Sequence, residues 1–264
     1  MDDSNKPLLV DRSNDQLIVA RLNRPDRLNA VSLPLYQHFN ILLDELTDDK
    51  HVRCLIVTGA GRAFCVGADL KAHGSTDPTA RERREYVETG QRFYRRLQTV
   101  SIPVIAAVNG HAIGAGLELA LSCDFLVVAQ DAKLRLPEIG LGTFVGGGTV
   151  YTLAQRVGVA RAKELIMLGE FFSGREAEAM GLANRSVHAG RVLDVAFDYA
   201  RRLARQAPVS MRLAKDLLDR AQRLDFETAM QHEAEALLQC MGTRDWKEGI
   251  DAFHEKRAPR YTGE

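Results

Sequence analysis

Cysteine is scarce in this chain. Cys54, Cys65, Cys123 and Cys240 stand far apart with no CxxC pair, which argues against a zinc site and fits a reducing compartment. Cys54 and Cys123 lie in or beside apolar runs and read as small core residues. Net charge is also lacking: 35 Lys and Arg balance 35 Asp and Glu, so nothing drives the whole molecule toward nucleic acid or an anionic membrane. No apolar run approaches the roughly 20 residues needed to span a bilayer. The start, MDDSNKPLLV, has no basic segment leading into an apolar stretch, so no signal peptide is expected. The chain is read as cytoplasmic, or as the mature form of an organellar-matrix protein.

Several catalytic signatures are missing as well. There is no GxSxG, which leaves a serine-hydrolase elbow unsupported. The seven histidines show no HExxH spacing, since His232-Glu233 lacks the second histidine. Gly59 and Gly61 follow an apolar run as a dinucleotide-binding turn would, but Phe64 occupies the place of the third glycine. Gly146-Gly147-Gly148 could cradle a phosphate, yet the lysine and hydroxyl of a P-loop are absent.

What remains is an ordinary soluble composition: 264 residues, 45% apolar and 27% charged, long enough for one large domain or two smaller ones. The first half alternates apolar runs with helical patterns. LIVARL (17–22), CLIVTG (54–59), IPVIAAVNG (102–110) and FLVVA (125–129) read as strands, and LRLP (134–137) as a short one ending at proline. Ser32 is placed to cap a helix carrying Leu35, Tyr36, Phe39, Leu42, Leu43 and Leu46 on one face. Residues 81–97 and 115–122 are predicted helices. Strand–helix–strand units of this kind predict an α/β class with a largely parallel sheet.

After about residue 150 the pattern predicts helices over 151–156, 160–168, 174–180, 190–206, 208–223, 225–241 and 245–256. Ser173 is placed to cap the helix at 174 and Gly181 to end it. The polar segment 72–82 is expected to be a mobile loop. Arg81, Arg83, Arg84, Arg92, Arg95 and Arg96, threaded with Glu82, Glu85 and Glu88, read as an ion-paired solvated face. An RNA- or phosphate-binding face is the sharper alternative.

The chemistry points to two glutamates. Glu118 lies among Leu117, Leu119, Ala120 and Leu121 in the first turns of an apolar helix, where a carboxylate is costly without a partner or a task. In NGHAIGAGLELALSCD (109–124) a glycine turn puts the amides of Gly114, Ala115 or Gly116 at a helix N-terminus, suited to a developing oxyanion. His111 in the same segment reads as a packed histidine. In TGAGRAFCVGADLK (58–71), Gly67 and Ala68 let the backbone approach a ligand closely. In LRLPEIGLGTFVGGG (134–148), Glu138 follows Pro137, which biases Leu136 toward extended backbone. Two carboxylates facing one cavity push their pKa values apart, so that one serves as acid and the other as base.

At these residues the chain resembles the crotonase, or enoyl-CoA hydratase/isomerase, family. The resemblance runs through NRPDRLNAVS (23–32), GRAFCVGADLK, NGHAIGAGLELALSCD, PEIGLG, FFSGREAEAMGLANRSV (171–187) and WKEGIDAFHEKRAP (246–259). It implies a spiral of ββα units over residues 1–200 as the catalytic core, with a helical region at 201–264 that mediates trimerisation, and trimers that pair into hexamers. It implies an acyl-CoA thioester substrate whose carbonyl oxygen is held by the amides of Ala68 and Ala115, with Glu118 and Glu138 as the acids of a hydratase. No metal or redox cofactor is implied, because CoA belongs to the substrate. CoA and substrate contacts are carried over to Arg27, Asn29, Ala30, Gly67, Asp69, Leu70, Gly114 and Pro137, with Lys256 placed to reach a CoA phosphate. The pattern departs from the family in Ala115, often glycine there, and in Val145-Gly146 where Pro-Gly is common, in a loop one residue short. Isomerase, thioester hydrolase, dehalogenase and decarboxylase relatives share the oxyanion site, and some relatives bind RNA.

Overall fold

The computed structural model describes residues 6–69 and 78–264. Leu70 and most of the loop expected at 72–82 lie outside the described residues.

Two sheets share the strands. The larger runs in the order β1 (Leu8–Asp11), β2 (Leu17–Leu22), β3 (Cys54–Gly59), β5 (Val104–Val108), β7 (Phe125–Ala129) and β10 (Arg185–Val187). The smaller runs β4 (Ala63–Cys65), β6 (His111–Ile113), β8 (Lys133–Arg135) and β9 (Phe172–Ser173). Among the described residues only β1/β2 and β8/β9 pair antiparallel; the other ladders are parallel. Three successive units repeat one plan. β3, β5 and β7 each enter the large sheet, β4, β6 and β8 follow in the small sheet, and a helix returns the chain. The result is a spiral of ββα turns.

The helices are α1 (Leu33–Asp48), α2 (Ala80–Thr99), α3 (Ala115–Leu121), α4 (Thr149–Met167), α5 (Gly174–Ala179), α6 (Val192–Ala204), α7 (Pro208–Arg220), α8 (Phe226–Met241) and α9 (Arg244–Glu255). In α1 the six predicted residues are the buried ones. Ser32 stands at its N-cap with extended backbone, but its hydroxyl makes no capping bond; Pro34, in the first turn, brings no N–H that needs one. Ser173 does cap α5, in a reciprocal capping box with Glu176, and Gly181 follows that helix at φ +79°. The two helices expected at 151–156 and 160–168 are the two arms of α4, divided at Gly158 (φ 75°, ψ 161°).

Every residue of β3 and of β5 is buried, as strands covered on both faces should be. Tyr36 and Phe39 of α1 pack on Phe93 of α2 at ring separations of 5.4 and 4.8 Å, and α6 lays Val192, Ala196 and Ala200 against the large sheet. Each fully buried apolar side chain of this kind contributes about 1.5–3 kcal/mol. The continuous core runs from Leu8 to Ala200. Along α2, Arg96 pairs with Asp44 of α1 and Arg84 approaches Glu88, while Glu82 is used in a capping box with Thr79. No helix among the described residues is long and apolar enough to cross a membrane.

The C-terminal helices are tied down by one well-shielded ion pair. Lys215 of α7 donates to Asp124 Oδ2 at 2.8 Å and to the Ile102 carbonyl at 3.0 Å, and Asp124 also accepts the Val104 amide at 2.7 Å. The two side chains are only 9% and 19% exposed. Removing one partner strands the other charge. Lys215→Ala is expected to lower stability by about 3 kcal/mol, read as an earlier midpoint in urea denaturation.

Candidate active site

The small sheet sets the site. β4, β6 and β8 are parallel neighbours, so their C-terminal ends open on the same side. Gly67 and Ala68 follow β4, Gly114 and Ala115 follow β6, and Pro137 and Glu138 follow β8. Ligands of parallel α/β sheets bind at this kind of edge.

Close backbone approach brings the first two loops together. A Cβ on Gly116 would lie 2.0 Å from the Cys65 carbonyl oxygen, so only glycine lets α3 dock on β4. Gly67 has φ +92°, and a Cβ there would lie 2.8 Å from the Ile113 carbonyl and 3.5 Å from the Ala115 nitrogen. The Ala68 and Ala115 amides therefore adjoin, and neither has a hydrogen-bond partner among the described residues. Ala115 has no intrahelical acceptor because it is the first residue of α3. Two adjoining free amides, that of Ala115 at a helix N-terminus, are what a developing oxyanion needs.

Both glutamates are buried, Glu118 at 4% and Glu138 at 8% exposure, yet they are treated oppositely. Glu118 Oε2 accepts the Gly147 amide at 2.6 Å, the Thr149 hydroxyl at 2.7 Å and the Gly146 amide at 2.9 Å. Glu138 Oε2 is buried with no hydrogen-bond partner among the described residues. Burial pushes the Glu138 carboxyl up to about 7. Its own backbone amide opposes the rise, the Glu118 charge adds to it, and Arg135 offsets part of it. Arg135 is held elsewhere, donating to the Gly169 carbonyl at 2.5 Å beneath the Phe171 ring. The Glu138 carboxylate closes on the oxyanion turn: a Cβ on Gly114 would lie 2.7 Å from Glu138 Oε1. One acid thus takes three donors on a single oxygen and the other leaves a buried oxygen without any, beside a pair of free amides.

The remaining residues carried over from the sequence divide. Asn29 is buried at φ +58°, and its side chain is spent internally. It donates to the Ala60 and Ala63 carbonyls, both at 2.8 Å, and accepts the Arg24 amide. Asp69 accepts Arg24 Nη2 at 2.8 Å, and Arg24 Nη1 donates to the Ala30 carbonyl. These side chains shape the loops around Ala68. Arg27 is exposed in a 3-10 turn (Pro25–Arg27). Pro137 is half-buried, and Lys256 is exposed at φ +55° just past α9. His111 accepts the Lys133 amide through Nδ1, a packing role between β6 and β8.

Sequence reasoning passed over Thr149, Arg24 and Tyr94. Tyr94 donates from its hydroxyl to the Ala115 carbonyl at 3.1 Å and lies 3.2 Å from the Tyr36 hydroxyl. Burial holds both phenols well above their ordinary pKa, so they act as neutral walls. The glycine run was weighed only as a cradle for phosphate; the anion it cradles is Glu118.

Residues 12–264 match the enoyl-CoA hydratase/isomerase family. The chain belongs to that family. The enoyl-CoA hydratase/isomerase fold is equally plain in the solved structures. The crystal structure of the Bacillus anthracis enoyl-CoA hydratase superposes with a TM-score of 0.94 at 36% identity, covering 98% of this chain and all of that one (100%). The short-chain-enoyl-CoA hydratase of Clostridium acetobutylicum is 35% identical over 92% of each chain. The crotonyl-CoA hydratase of Syntrophomonas wolfei is 35% identical over 96% of this chain and 97% of its own. This enoyl-CoA hydratase/isomerase family member therefore shares with them the spiral core and the helical C-terminal region.

Proposed function

We propose that the protein is an enoyl-CoA hydratase, adding water reversibly across the α,β double bond of an acyl-CoA thioester. The unequal treatment of two buried glutamates beside two unpartnered amides carries this reading. Hydration needs a base to take a proton from water and an acid to give one to carbon, together with stabilisation of the enolate-like oxygen between the two events.

The thioester carbonyl oxygen sits between the Ala68 and Ala115 amides. Water, held by both carboxylates, bonds through oxygen to the β carbon as Glu118 takes one of its protons. The π electrons move toward the thioester oxygen, and Glu138 delivers a proton to the α carbon. The enzyme resets when the proton gained by Glu118 returns to Glu138 through the next water. Arg27, Ala30, Leu70 and Lys256 would line the CoA moiety. Asn29 and Asp69, with their side chains engaged inside the protein, contribute by holding those loops in shape.

Assembly belongs to the same reading. The C-terminal helices expose Leu218, Phe226, Leu238 and Phe253, each at least 69% accessible, apolar side chains of the kind a partner subunit covers. A trimer, or a pair of trimers, would cover them. The enzyme is read as cytoplasmic, or as the mature form of an organellar-matrix protein.

The test uses crotonyl-CoA and the loss of conjugated-thioester absorbance, with 3-hydroxybutyryl-CoA identified as the product. The wild-type chain is expected to form it, and Glu118→Gln to lose on the order of 10²–10⁴-fold in kcat. A shifted double bond without hydroxyl product would assign isomerase chemistry instead, and undiminished hydration in Glu118→Gln would remove the paired-acid mechanism.

A further inference from the structure

Resting on the hydratase reading, we propose that Thr149 is a positioning residue for water activation: its hydroxyl, with the Gly146 and Gly147 amides, pins one oxygen of Glu118 so that the other is presented to the attacking water. All three donors converge on the same atom, Oε2, at 2.6–2.9 Å, and Oε1 is left without a protein donor among the described residues. A carboxylate held by one oxygen keeps the lone pairs of the other for substrate chemistry.

The three donors are not equivalent. Gly146 and Gly147 sit in a run of three glycines with no side chains to hold it and with the largest backbone freedom to lose. Thr149 is the first residue of α4, 1% exposed, and its branched side chain has few rotamers. It is the stiff member of the clamp, and it fixes where the glycine loop closes. The positive end of α4 faces the same carboxylate. The clamp is also tight: a Cβ on Gly147 would crowd both Glu118 Oε2 and the Tyr94 ring at 3.1 Å. A hydroxyl that served only packing would need any acceptor; this one takes the reacting side chain.

The consequence is a division that one residue controls. Proton exchange at the α carbon of a saturated acyl-CoA needs the oxyanion amides and Glu138, not an aligned water. Hydration needs Glu118 as well. The experiment compares Thr149→Val, which keeps the shape and deletes the hydroxyl, with Thr149→Ser, which keeps the hydroxyl. Crotonyl-CoA hydration is measured alongside deuterium exchange into butyryl-CoA in D2O. Thr149→Val is expected to lose about 10²-fold in hydration kcat, the scale of a misplaced reacting group, with KM and exchange within about 3-fold of wild type. Thr149→Ser is expected to recover most of the loss. Retained exchange shows that the site is folded. Hydration within about 3-fold of wild type in Thr149→Val overturns the proposal, as does a parallel loss of hydration and exchange. A wild-type chain that exchanges but forms no hydroxyacyl product overturns the hydratase reading instead, and this role with it.

Discussion

Glu138→Gln is expected to lose hydration on the order of 10³-fold while gaining stability above neutral pH. The activity loss follows from removing the proton donor to the α carbon, a role worth about 10²–10⁴-fold. The stability gain follows from the same environment. Glu138 is raised from 4.5 to about 7 in the folded chain, chiefly by burial. Between those values the native state holds the proton and the unfolded chain releases it. The stabilisation tied to that proton is full below about pH 4.5 and is lost as pH rises through about 7, by at most about 3 kcal/mol. At pH 8 the wild-type protein carries a buried charge that glutamine does not. Thermal melts should place Glu138→Gln above wild type at pH 8 and level with it at pH 5. In the wild type, kcat/KM for hydration should be flat below about pH 7 and fall about tenfold per unit above, as the acid ionises. Equal melting curves at both pH values would show that Glu138 is not the acid burial makes it.

Gly114→Ala should be nearly as damaging, for a geometric reason. Gly114 adopts φ 54°, ψ −128°, outside the left-handed basin open to residues with a side chain. Its missing Cβ leaves room for Glu138 Oε1, which would otherwise stand 2.7 Å away. Alanine must therefore either shift the Ala115 amide off the oxyanion position or push Glu138 aside. Loss of one oxyanion donor costs about 2.7–4 kcal/mol of barrier, so kcat on crotonyl-CoA should fall by about 10²–10³. Backbone strain adds about 1–3 kcal/mol of instability, visible in urea denaturation. Gly140→Ala is the matched control, since a Cβ there meets nothing within 4 Å; it should leave both measurements unchanged.

The large sheet and the helices were legible because burial writes itself into runs of residues. β2, β3 and β7 have the bounds the apolar runs predict, and α1 buries the six residues of its predicted face. Of the small sheet only β8 was legible, from LRLP, and its strand lies one to two residues earlier, at Lys133–Arg135. β4, β6 and β9 span two or three residues each, too short to show a period, and their pairing is decided by partners distant in sequence. Glu118 announced itself as an acid within an apolar helix. Its clamp did not, because the donors come from residues 146–149 and nothing local says that a glycine run will meet a carboxylate 28 or more positions earlier. Asn29 shows the reverse case: a polar residue expected to contact substrate whose amide is consumed by the protein's own carbonyls.

The candidate groups hang from three successive coils of the spiral, Ala68 from the first, Ala115 and Glu118 from the second and Glu138 from the third, at the tips of neighbouring strands about 4.8 Å apart. That pitch is set by backbone hydrogen bonds rather than by any one side chain, so the scaffold spaces the groups like the marks of a ruler. Exchanging a single tip, the tripeptide after β8 for instance, would alter the reaction while leaving the neighbouring marks in place, which makes this architecture suited to acquiring new chemistry one loop at a time.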